Sequence, residues 1–161
     1  MTDFTIPYDD FGGRGPLLHF SHPNAYAPRT FRQFLEPLTA DFHVLAAHHW
    51  PLWYLAPGYD QPFEPQGFNE LTWDRMAGDL LRFLDQQKLD TTIGVGHSLG
   101  AVATMLAAQK EPERFRALVL IEPVFLPPAL LEQAIVHPDA AAKTPLVNSA
   151  LRRRDRWPNR R

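Results

Sequence analysis

The chain has 161 residues, of which 45% are apolar and 21% charged, and its formal net charge is −2. This length and balance fit one soluble globular domain able to bury a core. With no cysteine at all, disulfides, thiol nucleophiles and thiolate metal sites are excluded. No apolar run approaches the roughly 18 residues that a membrane-spanning helix needs. The start, Met1-Thr2-Asp3-Phe4, lacks the basic-then-apolar pattern of a secretory signal. A cytoplasmic protein without a membrane partner is the expectation.

Charge is unevenly spread. Residues 152–161 hold six arginines against Asp155, a net of +5, which leaves −7 on the other 151 residues. A basic tail can bind nucleic acid, in which case binding would be salt-sensitive and lost with the last ten residues. A nucleic-acid domain is usually basic throughout, so the tail reads as a solvated helix end and no nucleic-acid partner is expected. The 16 prolines are scattered along the chain, which suggests many short turns.

In chain order, Pro16-Leu17-Leu18-His19-Phe20 reads as a buried strand feeding the loop Ser21-His22-Pro23-Asn24. From Arg29 to Leu38 the apolar residues Phe31, Phe34, Leu35 and Leu38 define an amphipathic helix. Thr30 is its candidate cap, and Pro37 bends it or ends it early. A second strand, His43–Ala47, leads into a long aromatic and proline-rich loop from His49 to Phe68. Trp50, Trp53, Tyr54, Tyr59, Phe63 and Phe68 there either line an apolar cleft or cover the sheet. Thr72 is a candidate N-cap for a helix with Trp73, Met76, Ala77, Leu80, Leu81 and Leu84 on one face. A third strand, Thr91–Val95, a turn, a small-residue helix from Ala101 to Gln109 and a fourth strand, Ala117–Ile121, follow. The alternation predicts an α/β fold with a mostly parallel sheet flanked by helices. Beyond Pro123, helical patterns over 129–136 and 140–156 suggest the start of a helical lid.

The turn after the third strand, Gly96-His97-Ser98-Leu99-Gly100, carries the chemistry. It is a G-x-S-x-G pattern set between a strand and a helix, the context in which a serine is exposed as a nucleophile. A serine on so sharp a turn takes strained backbone angles, and a Cβ two residues before or after it would strike neighbouring backbone. Ser98 then projects at the carboxyl end of the sheet, over the positive end of the following helix.

On these residues the chain resembles the α/β-hydrolase family from about Gly15 to Pro128. Residues 15–26 look like the family's strand and oxyanion loop. There His22-Pro23-Asn24-Ala25-Tyr26 follows a His-x-Asn-Gly-Phe pattern, with Ala25 in place of the glycine. Leu118-Val119-Leu120-Ile121-Glu122-Pro123 resembles the strand that leads into the lid. The resemblance implies a serine hydrolase, esterase-like, cleaving a carboxylic ester or related acyl compound through a Ser98 acyl-enzyme. Leu99 and Tyr26 would supply the backbone N–H groups of an oxyanion hole. Serine in place of aspartate disfavours epoxide-hydrolase and dehalogenase chemistry, which needs an alkyl-enzyme ester.

The family's order is serine, then acid, then histidine. After Ser98 the sequence has one histidine, His137. His137 and His22 are the candidate bases, with His48 and His49 at the end of the neighbouring strand as further histidines on the same edge. Glu122 is the candidate acid, and His97 is expected to hold the elbow. The expected organisation is the amino-terminal part of the hydrolase core over 1–125 and an incomplete lid over 126–161, which reads as a chain truncated within the lid. The rival reading is a non-catalytic remnant or partner-binding module whose unpaired sheet edge would self-associate. No cofactor and no metal are expected: the histidines form no closed ligand set, and Gly12-Gly13-Arg14-Gly15 lacks the lysine of a phosphate loop.

Overall fold

The computed structural model describes residues 4–24, 26–55, 73–125 and 127–129, together with residues 132 and 136. The chain divides into two compact units, 1–124 and 125–161. The first holds a five-stranded sheet made of β1 (Tyr8–Gly12), β2 (Leu17–Ser21), β3 (His43–Ala47), β4 (Thr92–His97) and β5 (Phe115–Ile121). Their spatial order is β1-β3-β2-β4-β5. β2 runs parallel to β3 and β4, and β4 parallel to β5, while β1 pairs antiparallel with β3. The fold is therefore α/β with a mixed, mostly parallel sheet.

The four strands expected from the sequence are β2 to β5. β1 was not expected, because Asp9 and Asp10 give Tyr8–Gly12 the composition of a loop. Its acids are used by the tertiary structure. Asp9 is buried and accepts hydrogen bonds from Arg29 Nε at 2.6 Å and His48 Nε2 at 3.0 Å. Asp10 accepts the Gly12 N–H at 2.7 Å, at the bulge that shifts the register with β3 between Asp10 and Gly12.

Side chains of β2 and β3 alternate between two buried faces, as a sheet covered on both sides requires. Leu18, Phe20, Val44, Ala46 and Val95 pack with Leu35 on one face. Leu45 and Ala47 pack on the other, against Leu80, Leu81, Phe83 and Leu84 of α2 (Trp73–Gln86) and Ala107 of α3 (Leu99–Lys110). Phe83 is fully buried, and its ring touches those of Tyr8 and His19 with centroids 5.3 and 5.4 Å away. The Thr72 cap expected for α2 lies outside the described residues.

The helix expected over 29–38 is a chain of short turns. A 3₁₀ turn at Pro28–Phe31, one α-helical turn, α1 (Arg32–Leu35), and a second 3₁₀ turn at Glu36–Ala40 follow one another. Pro37 has no N–H to continue an α-helical ladder, and α1 stops just before it. Thr30 caps nothing: its hydroxyl donates to the Ala27 carbonyl. Trp50 and Trp53 lie in a 3₁₀ stretch, Trp50–Leu55, and are buried in the core beside α2. Arg75 and Arg82 lie over their rings at 4.5 and 5.4 Å. These two tryptophans thus cover the sheet; the Tyr54 side chain, Tyr59, Phe63 and Phe68 lie outside the described set.

In the second unit Pro128, Ala129, Glu132 and Val136 are helical, and Ala129, Glu132 and Val136 are exposed. His137 and the region 140–156 lie outside the described residues. No helix among the described residues is long and apolar enough to cross a membrane.

Phe83 offers a direct test of the packing. Truncation to alanine should cost about 3–5 kcal/mol, the usual range for emptying a buried aromatic site. Urea unfolding should report it as a lower midpoint at unchanged slope.

Candidate active site

Ser98 lies between β4 and α3 with φ 55° and ψ −117°, a conformation that a residue with a Cβ rarely takes. Its surroundings hold it there. The Ser98 N–H donates to the Ile121 carbonyl at 2.9 Å, which ties the turn to the end of β5. The Ser98 carbonyl accepts from Ala101 and Val102 at 3.1 and 3.3 Å and so starts α3.

The flanking glycines have steric reasons. A Cβ on Gly96 would lie 2.5 Å from the Ala101 Cα, and one on Gly100 would lie 2.1 Å from the Ser21 carbonyl oxygen and 2.6 Å from that of His22. Neither contact is tolerable, and in both cases the obstacle is main chain. The first turn of α3 is therefore pressed against the end of β2. Leu99, the first helical residue, has an N–H with no intrahelical acceptor at the positive end of the helix.

The loop after β2 is held by histidines. His22 is buried; its Nδ1–H donates to the Pro23 carbonyl at 2.8 Å, and its Nε2 accepts the His49 N–H at 2.9 Å. His49 reciprocates, with Nε2–H donating to the His22 carbonyl at 2.9 Å. A base needs a free ring nitrogen, and both of those on His22 are engaged by backbone. Burial, then the neighbouring His49, pushes the His22 pKa down to about 2. Burial likewise lowers His49 to about 4 and His19 to about 3. His19 Nε2 accepts the Ala47 N–H at 3.2 Å. His48 is bound to Asp9, and its carbonyl accepts the Trp53 indole N–H at 2.7 Å. The sequence offered His22 as a candidate base, with His48 and His49 as further histidines on the same edge. Here His22 and His49 tie the loops after β2 and β3 together, His48 holds Asp9 and His19 binds the end of β3. The pairing of Asp9 with His48 and Arg29 had no sequence signal, because its members are 39 and 20 residues apart.

Tyr26 is partly exposed, and its N–H faces the Pro23 carbonyl at 3.5 Å, the outer limit of a hydrogen bond. Glu122 follows β5 with φ 45°; its side chain is exposed, and Oε2 is 3.9 Å from His97 Nε2. The His97 ring stands edge-on to Phe31 with centroids 5.9 Å apart. Ser98, Leu99, His97 and Glu122 thus share one end of the sheet with the His22 loop, while His137 lies outside the described residues.

A family model described as the alpha/beta hydrolase family matches residues 13–161. The chain belongs to the alpha/beta hydrolase family. It is 28% identical over 107 residues, 66% of its length, to an epoxide hydrolase of Caballeronia sordidicola, of which it covers 30%. Among solved structures, a hydrolase from Pseudomonas aeruginosa superposes with a TM-score of 0.63 at 23% identity, covering 89% of this chain. Est816, described as an N-acyl homoserine lactone degrading enzyme, gives 0.60 at 20% identity over 84% of this chain. The chain spans 51% of the length of each of those two structures. At such identities these two likenesses establish the fold alone.

Two measurements test this geometry. Gly100→Ala should destabilise the protein by about 1–3 kcal/mol or more, since carbonyl oxygens and not flexible side chains block the new methyl; thermal unfolding reads the loss. The buried histidines predict a pH dependence. Each is neutral in the native state and protonates in the unfolded chain near pH 6.5, so the unfolded state binds more protons below that pH. Stability should be full above pH 6.5 and fall as pH drops toward 4. The steepest slope should approach about 4 kcal/mol per pH unit, from three sites at about 1.4 each. A stability that stayed flat down to pH 5 would mean that the three histidines protonate in the folded protein.

Proposed function

We propose that the chain carries the nucleophile of a serine hydrolase that cleaves a carboxylic ester or related acyl compound. The observation behind the reading is the conformation of Ser98, held at φ 55° between β4 and α3 by glycines that nothing larger can replace. Strain of this kind is retained where the surrounding structure enforces it and function uses it.

In this reading Ser98 Oγ attacks the acyl carbonyl, and a base takes its proton as the O–C bond forms. The tetrahedral oxyanion is held by the Leu99 N–H and by the Tyr26 N–H, whose 3.5 Å contact to Pro23 binds it loosely. Collapse expels the alcohol, which takes the proton from the base; water then cleaves the acyl-enzyme by the same steps. His22 supports the loop and leaves the base role to His137 or to a histidine outside this sequence. Glu122 is the acid candidate within the chain, at the end of the strand after the elbow.

Names among the relatives divide. One is named an epoxide hydrolase, and another is described as an N-acyl homoserine lactone degrading enzyme. A serine at position 98 favours acyl transfer, because an alkyl-enzyme ester needs a carboxylate nucleophile. Membership of the family and the net charge of −7 on residues 1–151 favour a small-molecule substrate.

A fluorophosphonate probe tests the proposal on the purified chain, read by intact mass. Wild type should take one label and Ser98→Ala none, with His137→Ala slowing labelling at least a hundredfold, the lower end of what a catalytic base contributes. A folded wild-type protein that takes no label would move the catalytic claim away from this chain. Normal labelling of His137→Ala would reject His137 as the base and leave the nucleophile in place.

A further inference from the structure

We infer that a cavity between α2 and β2 is a hydration site that binds one ordered water through His19, Ser21 and Asp79. The inference is independent of the proposed catalysis.

Of the four buried side-chain polar atoms among the described residues that lack a hydrogen bond, three share one cavity; the fourth, Arg114 Nε, does not line it. His19 Nδ1, Ser21 Oγ and Asp79 Oδ2 are closed off from solvent and make no hydrogen bond within the protein. All three residues line the same cavity with His48 and His49, whose Nε2 atoms bond Asp9 and the His22 carbonyl, and with apolar residues such as Ile6 and Met76. Leaving one such group unsatisfied costs on the order of a hydrogen bond to a buried partner, so three around one cavity mark a polar ligand.

Volume decides which ligand. The cavity measures about 10 Å³, the least room in which one water is accommodated. A serine, a histidine and an aspartate around one space have the composition of a catalytic triad, but no acyl substrate fits there. A transition metal is disfavoured as well, since no group of three or more His, Asp or Glu among the described residues is arranged to hold one.

The donor and acceptor roles match water. His19 Nε2 accepts from the Ala47 N–H, so its Nδ1 carries the proton and donates. Asp79 Oδ1 is taken by Arg82 at 2.8 Å, and Arg75 stands 3.9 Å from Oδ2, too far for a hydrogen bond. Oδ2 is therefore an acceptor in want of a donor. The Ser21 hydroxyl both gives and receives. A single water accepts from His19 and donates to Asp79, and its remaining positions serve Ser21. Burial alone raises the Asp79 pKa against the pull of the two arginines, and a water on Oδ2 is the group that would solvate its charge.

The site joins α2 to the last residue of β2. The Ser21 carbonyl is the atom against which Gly100 closes, so the water braces the strand end on which the Ser98 turn rests.

A crystal structure that resolves ordered solvent is the direct test. Density about 2.7–3.2 Å from His19 Nδ1, Ser21 Oγ and Asp79 Oδ2 supports the inference. An empty cavity, or a direct bond between two of the three groups, overturns it. So does a peak at about 2.0–2.6 Å, which would be a bound cation. In solution, oxygen-17 relaxation dispersion should lose one long-lived water in Ser21→Val, whose methyl groups fill the space. An unchanged count in that folded variant overturns the assignment.

Discussion

The site depends on one close approach of two backbones. Gly100 places the first turn of α3 against the Ser21 and His22 carbonyls, closer than any side chain would permit. That contact sets where α3 begins. With Gly96 against Ala101 and the Ser98 N–H on Ile121, it leaves residue 98 no ordinary conformation. The strain is thus a consequence of packing on three strands, β2, β4 and β5, and is sustained by all of them.

Because β2 bears this contact, its end must be firm, and the buried histidines make it so. His22 and His49 exchange backbone hydrogen bonds between the two loops that leave β2 and β3. His48 binds Asp9 on β1, and His19 takes the Ala47 N–H. Such groups satisfy loop N–H and carbonyl groups that no strand or helix reaches. Burial keeps His19, His22 and His49 neutral, so the rigidity of this end of the sheet is bound to pH. The same bonding removes His22 from proton transfer, since both of its ring nitrogens are in use.

β5 shows what the described core leaves uncovered. Its run Phe115–Ile121 reads as an interior strand, yet it lies at the end of the strand order, with Leu118 39% and Val119 49% exposed. These neighbours point to opposite faces, so both sides of the strand are open. That contrasts with β2 and β3, whose alternating residues are buried on both faces by α2, α3 and the turns around α1. The glycine and alanine content of β4 and α3 brings those two elements together tightly; the apolar surface of β5 has no comparable cover among the described residues.

Much of the fold was legible in the sequence because its signals are local. Apolar runs marked β2 to β5, helical spacing marked α2, and the pattern of glycines around Ser98 marked a turn whose steric reason lies in the main chain packed against it. Family membership follows from the same residues. What sequence could not reveal is set by contacts between distant segments. Two aspartates disguised β1 as a loop, since only Arg29 and His48 make a buried Asp9 acceptable. Pro37 announced a break in the first helix but not its replacement by 3₁₀ turns. The role of His22 was undecidable from its neighbours, because the group that occupies its second nitrogen is the backbone of His49, 27 residues away. The sequence by itself determined β2 to β5, α2, α3 and the strained serine between β4 and α3; the tertiary structure alone decided which polar groups are engaged, because hydrogen-bond partners are assigned by proximity in space and not along the chain.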